Sequence, residues 1–185
     1  ASGVPGRLLF SLDEALEAPS DVVVEAIGGI DEAGRALHRS LLAGRHVVTA
    51  NKAVLAARGA DLRALAEAED KTLAFSAAVG GVVPVIETLR ELRGPVARIE
   101  GVLNGTSNFV LDRLADGASL DGAVADAQAL GYAEADPTDD LSGLDAARKL
   151  TLLAHEAHGV TLDAERVPRP GASAIGRSQP AGGGR

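Results

Sequence analysis

The sequence has 185 residues, which is enough for one good core or for two small domains that share an interface. Its net charge of −8 argues against a nucleic-acid partner, because phosphate binding draws on a basic surface. The lack of cysteine excludes disulfides and fits a reducing cytoplasm, and no apolar run approaches the roughly 20 residues of a membrane span. We therefore expect a cytoplasmic protein with no nucleic-acid and no membrane partner.

The first part of the chain alternates between strand and helix patterns. The run VVVEAI within residues 21–27 is continuously apolar, which is typical of a strand buried on both faces. Strands are predicted at residues 8–10, 21–27, 46–49 and 72–77, and helices at 11–16, 31–43 and 60–70. This alternation predicts a parallel sheet with crossover helices. It resembles the second half of a nucleotide-binding fold, so we expect an incomplete Rossmann-like sheet in an α/β protein.

The pattern changes after residue 79. Helices are predicted at residues 84–92, 107–114, 120–130 and 145–158, with one strand at 96–103. From Val167 onward the sequence is Pro, Gly, Ser and Arg without periodicity. We expect a parallel-sheet domain over 1–79, an α+β domain over 80–165 and a disordered tail over 166–185.

Small and polar residues follow two of the predicted strands. Gly28 and Gly29 end the strand at 21–27, and Thr49, Asn51 and Lys52 follow the strand at 46–49. Ligands in open α/β sheets bind beyond the carboxyl ends of the strands, where a lysine can contact an anion. A glycine pair is also typical of a simple turn, and a lysine at a helix start is commonly solvated. No G-x-G-x-x-G pattern occurs in the sequence, so both interpretations stay open.

An acid-rich block at residues 131–150 carries Glu134 and Asp140 and then runs into a helix. Asp145 and Lys149 are four residues apart and therefore share one face of that helix. Carboxylates gathered around a lysine can hold a substrate's ammonium group and orient a proton donor. A helix-surface ion pair worth about 0.3–0.5 kcal/mol is the alternative that the spacing leaves open.

Other common site chemistries find no support in the sequence. The four histidines lack the spacing of a zinc site, and the acidic loop lacks that of an EF-hand. No G-x-S-x-G segment occurs, so serine hydrolase chemistry is not indicated.

Five segments, in order, resemble the homoserine dehydrogenase family. The resemblance extends over about residues 8–160, and the last segment is the most specific. The segments are residues 21–29 (DVVVEAIGG), 47–52 (VVTANK), 79–84 (VGGVVP), 101–108 (GVLNGTSN) and the block at 131–150.

This resemblance implies a small-molecule substrate, since the family reduces L-aspartate 4-semialdehyde to L-homoserine in threonine, methionine and isoleucine biosynthesis. By position it implies that Lys149 donates the proton to the aldehyde oxygen, with Asp145 beside it. It implies that Glu134 and Asp140 hold the amino-acid end of the substrate and that Lys52 lines the same site.

The resemblance also implies a nicotinamide cofactor, NADP or NAD, and a homodimer. It makes 1–79 a partial NAD(P)-binding domain and 80–165 the catalytic domain. The residues that it places at the cofactor are Gly28, Thr49, Asn51, Lys52, Gly131 and Glu134.

Three departures from the family pattern bear on these expectations. The family's monovalent cation, usually sodium, is held by backbone carbonyls that correspond to Val79, Gly81 and Val83 and by the acid of a Phe-Glu-Ala segment. Here that segment is Phe-Ser-Ala at residues 75–77, so the acid is missing. The first Rossmann strand with its glycine loop is absent, and the low-complexity tail replaces the returning segment.

From the missing glycine loop we predict that the 185-residue chain alone binds NADP weakly or not at all. The alternative to an active oxidoreductase is a catalytically silent homologue that serves as a dimerising or regulatory module.

Overall fold

The computed structural model describes residues 6–172 and residue 174. The chain divides into two compact units, residues 1–84 and 85–185. The first unit contains α1 (Leu12–Glu17), β1 (Val22–Glu25), α2 (Asp31–Leu42), β2 (His46–Thr49), α3 (Lys52–Ala68), β3 (Leu73–Ala74) and α4 (Ser76–Gly80). The second contains α5 (Val85–Glu91), α6 (Gly105–Ala115), α7 (Leu120–Ala129), α8 (Thr138–Leu141), α9 (Leu144–His158) and a 3₁₀ turn (Ala164–Arg166).

The first unit is built on a three-stranded parallel sheet of order β1-β2-β3. Val23 lies opposite Val47, and Val48 lies opposite Ala74. Helices α2 and α3 connect successive strands, as parallel pairing requires. The expected α/β class with a Rossmann-like parallel sheet is therefore confirmed.

Burial along α2 explains why this segment is a helix against the sheet. Its buried residues recur at spacings of three and four, which place them on one face. Leu37 and Leu41 are fully buried together with Val47 of β2 and Leu62 of α3. The helix ends at Leu42, one residue before the predicted end at residue 43, and Ala43 and Gly44 follow it.

The prediction that residues 21–27 form a strand buried on both faces is wrong. The strand is shorter, Val22–Glu25, and Val22 and Val24 are 50% and 72% exposed. The reason is that β1 is an edge strand of the described sheet. A continuous apolar run indicates surface suited to burial, but it does not specify which element covers that surface.

Three further elements differ from prediction in the first unit. Residues 8–10 form no strand, and Leu8 and Phe10 are exposed. Helix α3 begins at Lys52 rather than at residue 60, because the Asn51 side chain accepts a hydrogen bond from the Val54 amide and caps the helix. The strand predicted at 72–77 shortens to β3 and gives way to α4.

In the second unit, the described residues are helical or irregular and include no strand. The predicted strand at 96–103 forms no ladder, and Val102 is 74% exposed. A strand needs a partner to satisfy its backbone groups, and no neighbouring strand is described in this unit. One core cluster of this unit consists of the buried residues Val110, Ala123, Ala127 and Ala172, and Ile86, Leu152 and Leu153 are buried as well.

The predicted disorder does not apply to residues 166–172. Ala172 is 5% exposed within the core just described, and the Arg169 guanidinium donates to the carbonyl oxygens of Ala164 and Glu165. The composition of this segment therefore did not reveal the contacts that Ala172 and Arg169 make in the folded chain. The remainder of the predicted tail, apart from residue 174, lies outside the described residues.

Across the part of the chain that the structure describes, no helix combines the length and apolar character needed to cross a membrane.

Candidate functional site

The predicted Asp145–Lys149 pair forms an ion pair on α9 that is withdrawn from solvent. The Lys149 Nζ atom lies 2.8 Å from Asp145 Oδ2, and the two side chains are 16% and 5% exposed. Lys149 Nζ also donates to the carbonyl oxygen of Leu103 at 2.7 Å. The alternative of an exposed surface ion pair is therefore wrong for this pair.

Asn104 joins the two carboxylates that the sequence placed in the acidic block. Its Nδ2 atom donates to Asp140 Oδ1 at 2.6 Å and to Asp145 Oδ2 at 2.9 Å. Its Oδ1 atom accepts from the Ser107 amide at 2.7 Å and so caps α6. Residues from the start of α6, from α8 and from α9 therefore meet at one polar cluster, which we call the acid–lysine cluster: Asn104, Asp140, Asp145 and Lys149.

Asp140 is further fixed through its backbone. The Ser107 hydroxyl donates to the Asp140 carbonyl oxygen at 2.8 Å. Next to Asp140, Asp139 forms an ion pair with Arg148 of α9, so the two neighbouring aspartates have different partners. The short helix α8 thus holds Asp140 against the start of α6 and Asp139 against α9.

Glu134 and Gly131 are not hydrogen-bonded to the acid–lysine cluster. The Glu134 carboxylate is exposed and has no hydrogen bond or ion pair within the described residues, while its carbonyl oxygen accepts from Gln128 Nε2 at 3.1 Å. Gly131 follows α7, and its amide donates to the Gln128 carbonyl oxygen at 3.1 Å. These two hydrogen bonds hold the backbone of the loop. The predicted ligand roles of Gly131 and Glu134 stay predictions.

A cavity of about 680 Å³ in the second unit borders the acid–lysine cluster on one side. Asn104 and Asp140 line it together with apolar side chains that include Leu111, Leu141 and Leu150. Apolar residues outnumber polar ones in its lining, which is common for small-molecule sites.

In the first unit, the residues predicted to bind a cofactor meet at the carboxyl ends of β1 and β2. The Asn51 side-chain amide donates to the Gly29 carbonyl oxygen at 2.7 Å. The backbone N–H of Asn51 donates to the Thr49 hydroxyl oxygen at 3.0 Å. Gly28 and Gly29 have φ of 83° and 71°, and nothing lies within 4 Å of where a Cβ would stand. A backbone that is open in this way fits the close approach of a dinucleotide.

Sequence reasoning missed Glu25, which organises these loops. Glu25 is 2% exposed; its Oε1 accepts from the amides of Ile27 at 2.7 Å and Gly28 at 3.1 Å, and its Oε2 accepts from the Thr49 hydroxyl. An acid inside an otherwise apolar strand run was the available signal. Asn104 was also missed, and its signal was an amide directly before a helix start.

Lys52 is the first residue of α3 and is partly buried. Its position at the carboxyl end of β2 agrees with the sequence prediction, and its predicted role at the substrate and cofactor stays a prediction.

The residues expected to hold a monovalent cation, Val79, Gly81 and Val83, lie in and directly after α4. Val79 lies in α4, Gly81 follows that helix, and Ser76 stands where the family has an acid. Among the described residues, no group of three or more His, Asp or Glu side chains could hold a metal ion. The predicted sodium site at these backbone carbonyls stays a prediction.

Comparisons with known proteins divide the chain at nearly the same place as the structure does. Residues 4–76 match the family model described as "Homoserine dehydrogenase, NAD binding domain", and residues 84–181 match the one described as "Homoserine dehydrogenase". The predicted resemblance is therefore confirmed in both units.

Individual relatives agree with the family models. The homoserine dehydrogenase of Lactococcus lactis is 39% identical over 179 residues, covering 95% of this chain and 42% of that protein. The enzyme of Pseudomonas aeruginosa is 43% identical over 166 residues, covering 88% and 38%. This chain thus spans about two fifths of the length of the curated relatives it matches.

Among solved structures, a homoserine dehydrogenase from Thiobacillus denitrificans matches with a TM-score of 0.74 and 41% identity, covering 89% of this chain and 39% of that one. The family model for the second unit alone covers more than half of the sequence. The chain belongs to the homoserine dehydrogenase family.

Proposed function

We propose that the protein carrying this chain interconverts L-homoserine and L-aspartate 4-semialdehyde with a nicotinamide nucleotide, in the biosynthesis of threonine, methionine and isoleucine. The observation that carries this proposal is the hydrogen bonding of Lys149. An ammonium group has three N–H donors, and among the described residues two of those on Lys149 go to Asp145 and Leu103. The third is available to a substrate oxygen.

In the direction of reduction, Lys149 gives a proton to the oxygen of the aldehyde as that oxygen gains negative charge. A bound nicotinamide nucleotide supplies the hydride that adds to the aldehyde carbon. The carbon–oxygen double bond becomes a primary alcohol, with its oxygen protonated by Lys149. Asp145 keeps the ammonium group in place during this transfer, because it pairs with Nζ from one turn earlier on α9.

The carboxylates supply recognition of the amino-acid part of the substrate. Asp140 is half-buried, held by Asn104, and borders the cavity, and a negative group there suits the ammonium of homoserine. Glu134, on the exposed loop after α7, is proposed as a second acidic contact. Both assignments follow the family resemblance and agree in sign with the substrate's charge.

We assign nucleotide binding to the first unit, through the loops at Gly28 and at Thr49–Asn51. The support is their shared position at the carboxyl ends of β1 and β2 and the match of this unit to an NAD-binding domain. NADP and NAD are both compatible with these residues. We further propose a homodimer in the cytoplasm, as the family resemblance implies.

The decisive experiment follows NADPH oxidation by the expressed gene product in the presence of aspartate semialdehyde. We expect Lys149→Ala to reduce kcat by at least about 100-fold, because general-acid catalysis contributes about 10²–10⁴. Lys71→Ala serves as the matched control at a lysine outside the site, and it should retain wild-type kcat. Turnover that survives Lys149→Ala would remove Lys149 from the mechanism.

The same assay distinguishes the proposed oxidoreductase from the alternative, a silent dimerising or regulatory module. A folded wild-type protein with no turnover under any nucleotide would favour that alternative. Loss of turnover in Lys149→Ala alone, with the Lys71→Ala control active, would favour the oxidoreductase.

A further inference from the structure

We propose that Asn104 is a positioning residue of the acid–lysine cluster and does more than cap α6. This inference rests on the proposed function. Its amide fixes the carboxylates of Asp140 and Asp145 at a set separation. Asp140 is thereby presented to the substrate ammonium, and Asp145 is held where it orients Lys149.

The first argument is that both polar atoms of the Asn104 amide have partners, and that Nδ2 uses both of its hydrogens. The Nδ2 hydrogens go to the two carboxylates, and Oδ1 accepts from the Ser107 amide. Carboxylates only accept and a backbone N–H only donates, so the partners allow one orientation of the amide. At 9% exposure, Asn104 has little competing access to water.

The second argument concerns charge. The carboxylates of Asp140 and Asp145 are both hydrogen-bonded to the Asn104 amide, and the cation of the cluster, Lys149, is paired with Asp145. Two nearby negative charges repel each other. The neutral amide donates one hydrogen bond to each carboxylate and so stabilises both without adding charge.

The third argument is that the backbone next to Asn104 holds the lysine. The Leu103 carbonyl oxygen accepts from Lys149 Nζ at 2.7 Å. Asn104 has extended φ and ψ of −140° and 116° as the N-cap of α6. Two consecutive residues therefore set the positions of Lys149, Asp145 and Asp140, and the helix cap fixes the backbone from which they act.

The test separates capping from positioning with Asn104→Ser. Serine caps helices about as well as asparagine, but its hydroxyl is too short to bridge both carboxylates. We expect the melting temperature of Asn104→Ser to stay within a few degrees of wild type. We expect KM for aspartate semialdehyde to rise at least about 10-fold and kcat to fall at least about 10-fold.

A purely structural role predicts a different result. Partial unfolding lowers kcat by reducing the active fraction, but it leaves KM unchanged. Asn104→Ser with wild-type KM and kcat, or with a lower kcat at unchanged KM, would overturn the proposal. Asn104→Asp also keeps the cap while adding a third carboxylate, and a rise in KM is expected there too.

A second readout needs neither substrate nor nucleotide and therefore remains decisive if the proposed function is wrong. The sequence has only three lysines, so a ¹⁵N-lysine spectrum of the 185-residue chain contains few ammonium signals, and Lys149→Arg identifies that of Lys149. We expect Asn104→Ser to speed exchange of the Lys149 ammonium protons at least about 10-fold. Unchanged exchange would overturn the positioning role, whereas absent turnover in the wild type would overturn only the proposed function.

Discussion

A single buried carboxylate supports the loops of the first unit. Glu25 sits in β1 among apolar residues and accepts three hydrogen bonds, from two amides of the following loop and from the Thr49 hydroxyl. A buried acid of this kind is retained only where its oxygens are satisfied. Glu25 thus ties the end of β1 to the end of β2.

We predict that Glu25→Gln destabilises the chain by about 2 kcal/mol, because hydrogen bonds to a charged group are worth about 1.5–3 kcal/mol. Urea unfolding measures the change. Hydrogen exchange at the Ile27 and Gly28 amides should accelerate as well. The matched control is Ser40→Ala, which removes a buried hydrogen bond to the Ala36 carbonyl oxygen and leaves exchange at Ile27 and Gly28 unaffected. Slow exchange at those amides in Glu25→Gln would contradict this account.

Asp136 is an acid whose pKa is lowered by a neighbouring residue. The Thr138 hydroxyl and then the Thr138 amide donate to its carboxylate, and these bonds lower the Asp136 pKa below its ordinary value of 3.8. A carboxyl group whose pKa is lower in the folded state than in the unfolded state stabilises the folded state at pH values above its unfolded pKa. That contribution is lost as the pH falls through the folded pKa.

We predict that Thr138→Val raises the Asp136 pKa toward its ordinary value, since the larger of the two causes is removed. An NMR titration of the side-chain carboxyl carbon measures it. Thr161→Val, at an exposed threonine elsewhere in the second unit, should leave the Asp136 titration unchanged. An equal effect of both substitutions would show that the hydroxyl contact is not the cause.

At the scale of elements, the start of α9 depends on one backbone conformation. Gly143 precedes the helix with φ of 78°, and a Cβ there would stand 3.4 Å from Cβ of Arg169. Residues with a side chain rarely adopt this conformation. The same turn brings α8 against α9, so it sets the position of Asp140 relative to Asp145.

We predict that Gly143→Ala destabilises the chain by about 1–2 kcal/mol, from the cost of a positive φ. Gly105→Ala is the matched control, because Gly105 begins α6 without a positive φ and with open space around it. That control should be neutral or stabilising by about 0.4–1 kcal/mol. Thermal unfolding compares the two, and equal stability would refute the conformational argument.

At the scale of the whole molecule, the two units carry different parts of the proposed chemistry. The first has a three-stranded sheet with open glycines after its first strand, and the second holds the acid–lysine cluster. The chain spans about two fifths of its curated relatives, so the complete reaction stays a proposal for the protein that carries it.

We predict that the 185-residue chain by itself binds NADP weakly, with a Kd above about 1 mM, which corresponds to about −4 kcal/mol. The sequence lacks the G-x-G-x-x-G turn that cradles a pyrophosphate, and the glycine pair after β1 provides open backbone without that turn. A fluorescence titration with NADPH measures the affinity. Micromolar binding would refute the prediction.

Several elements could be predicted from local sequence because interactions between residues close in the sequence determine them. Strand β2 and the start of α2 are found where predicted, and the helix predicted at 11–16 forms as α1, which the Ser11 hydroxyl caps by accepting from the Glu14 amide. The parallel order of the sheet followed from the alternation of strands and helices. The prediction of a strand at 96–103 is wrong, because strand formation depends on a pairing partner that the local sequence does not reveal.

For the site, the sequence alone determined which residue types are available and that Asp145 and Lys149 share a helix face, since the spacing of four residues is a property of the helix itself. Only the tertiary structure decided that this pair is buried, that Asn104 bridges it to Asp140, and that Glu25 joins the loops after β1 and β2. These contacts join residues 24 to 41 positions apart. Burial and long-range hydrogen bonding arise from the packing of separate elements, and no local pattern encodes them.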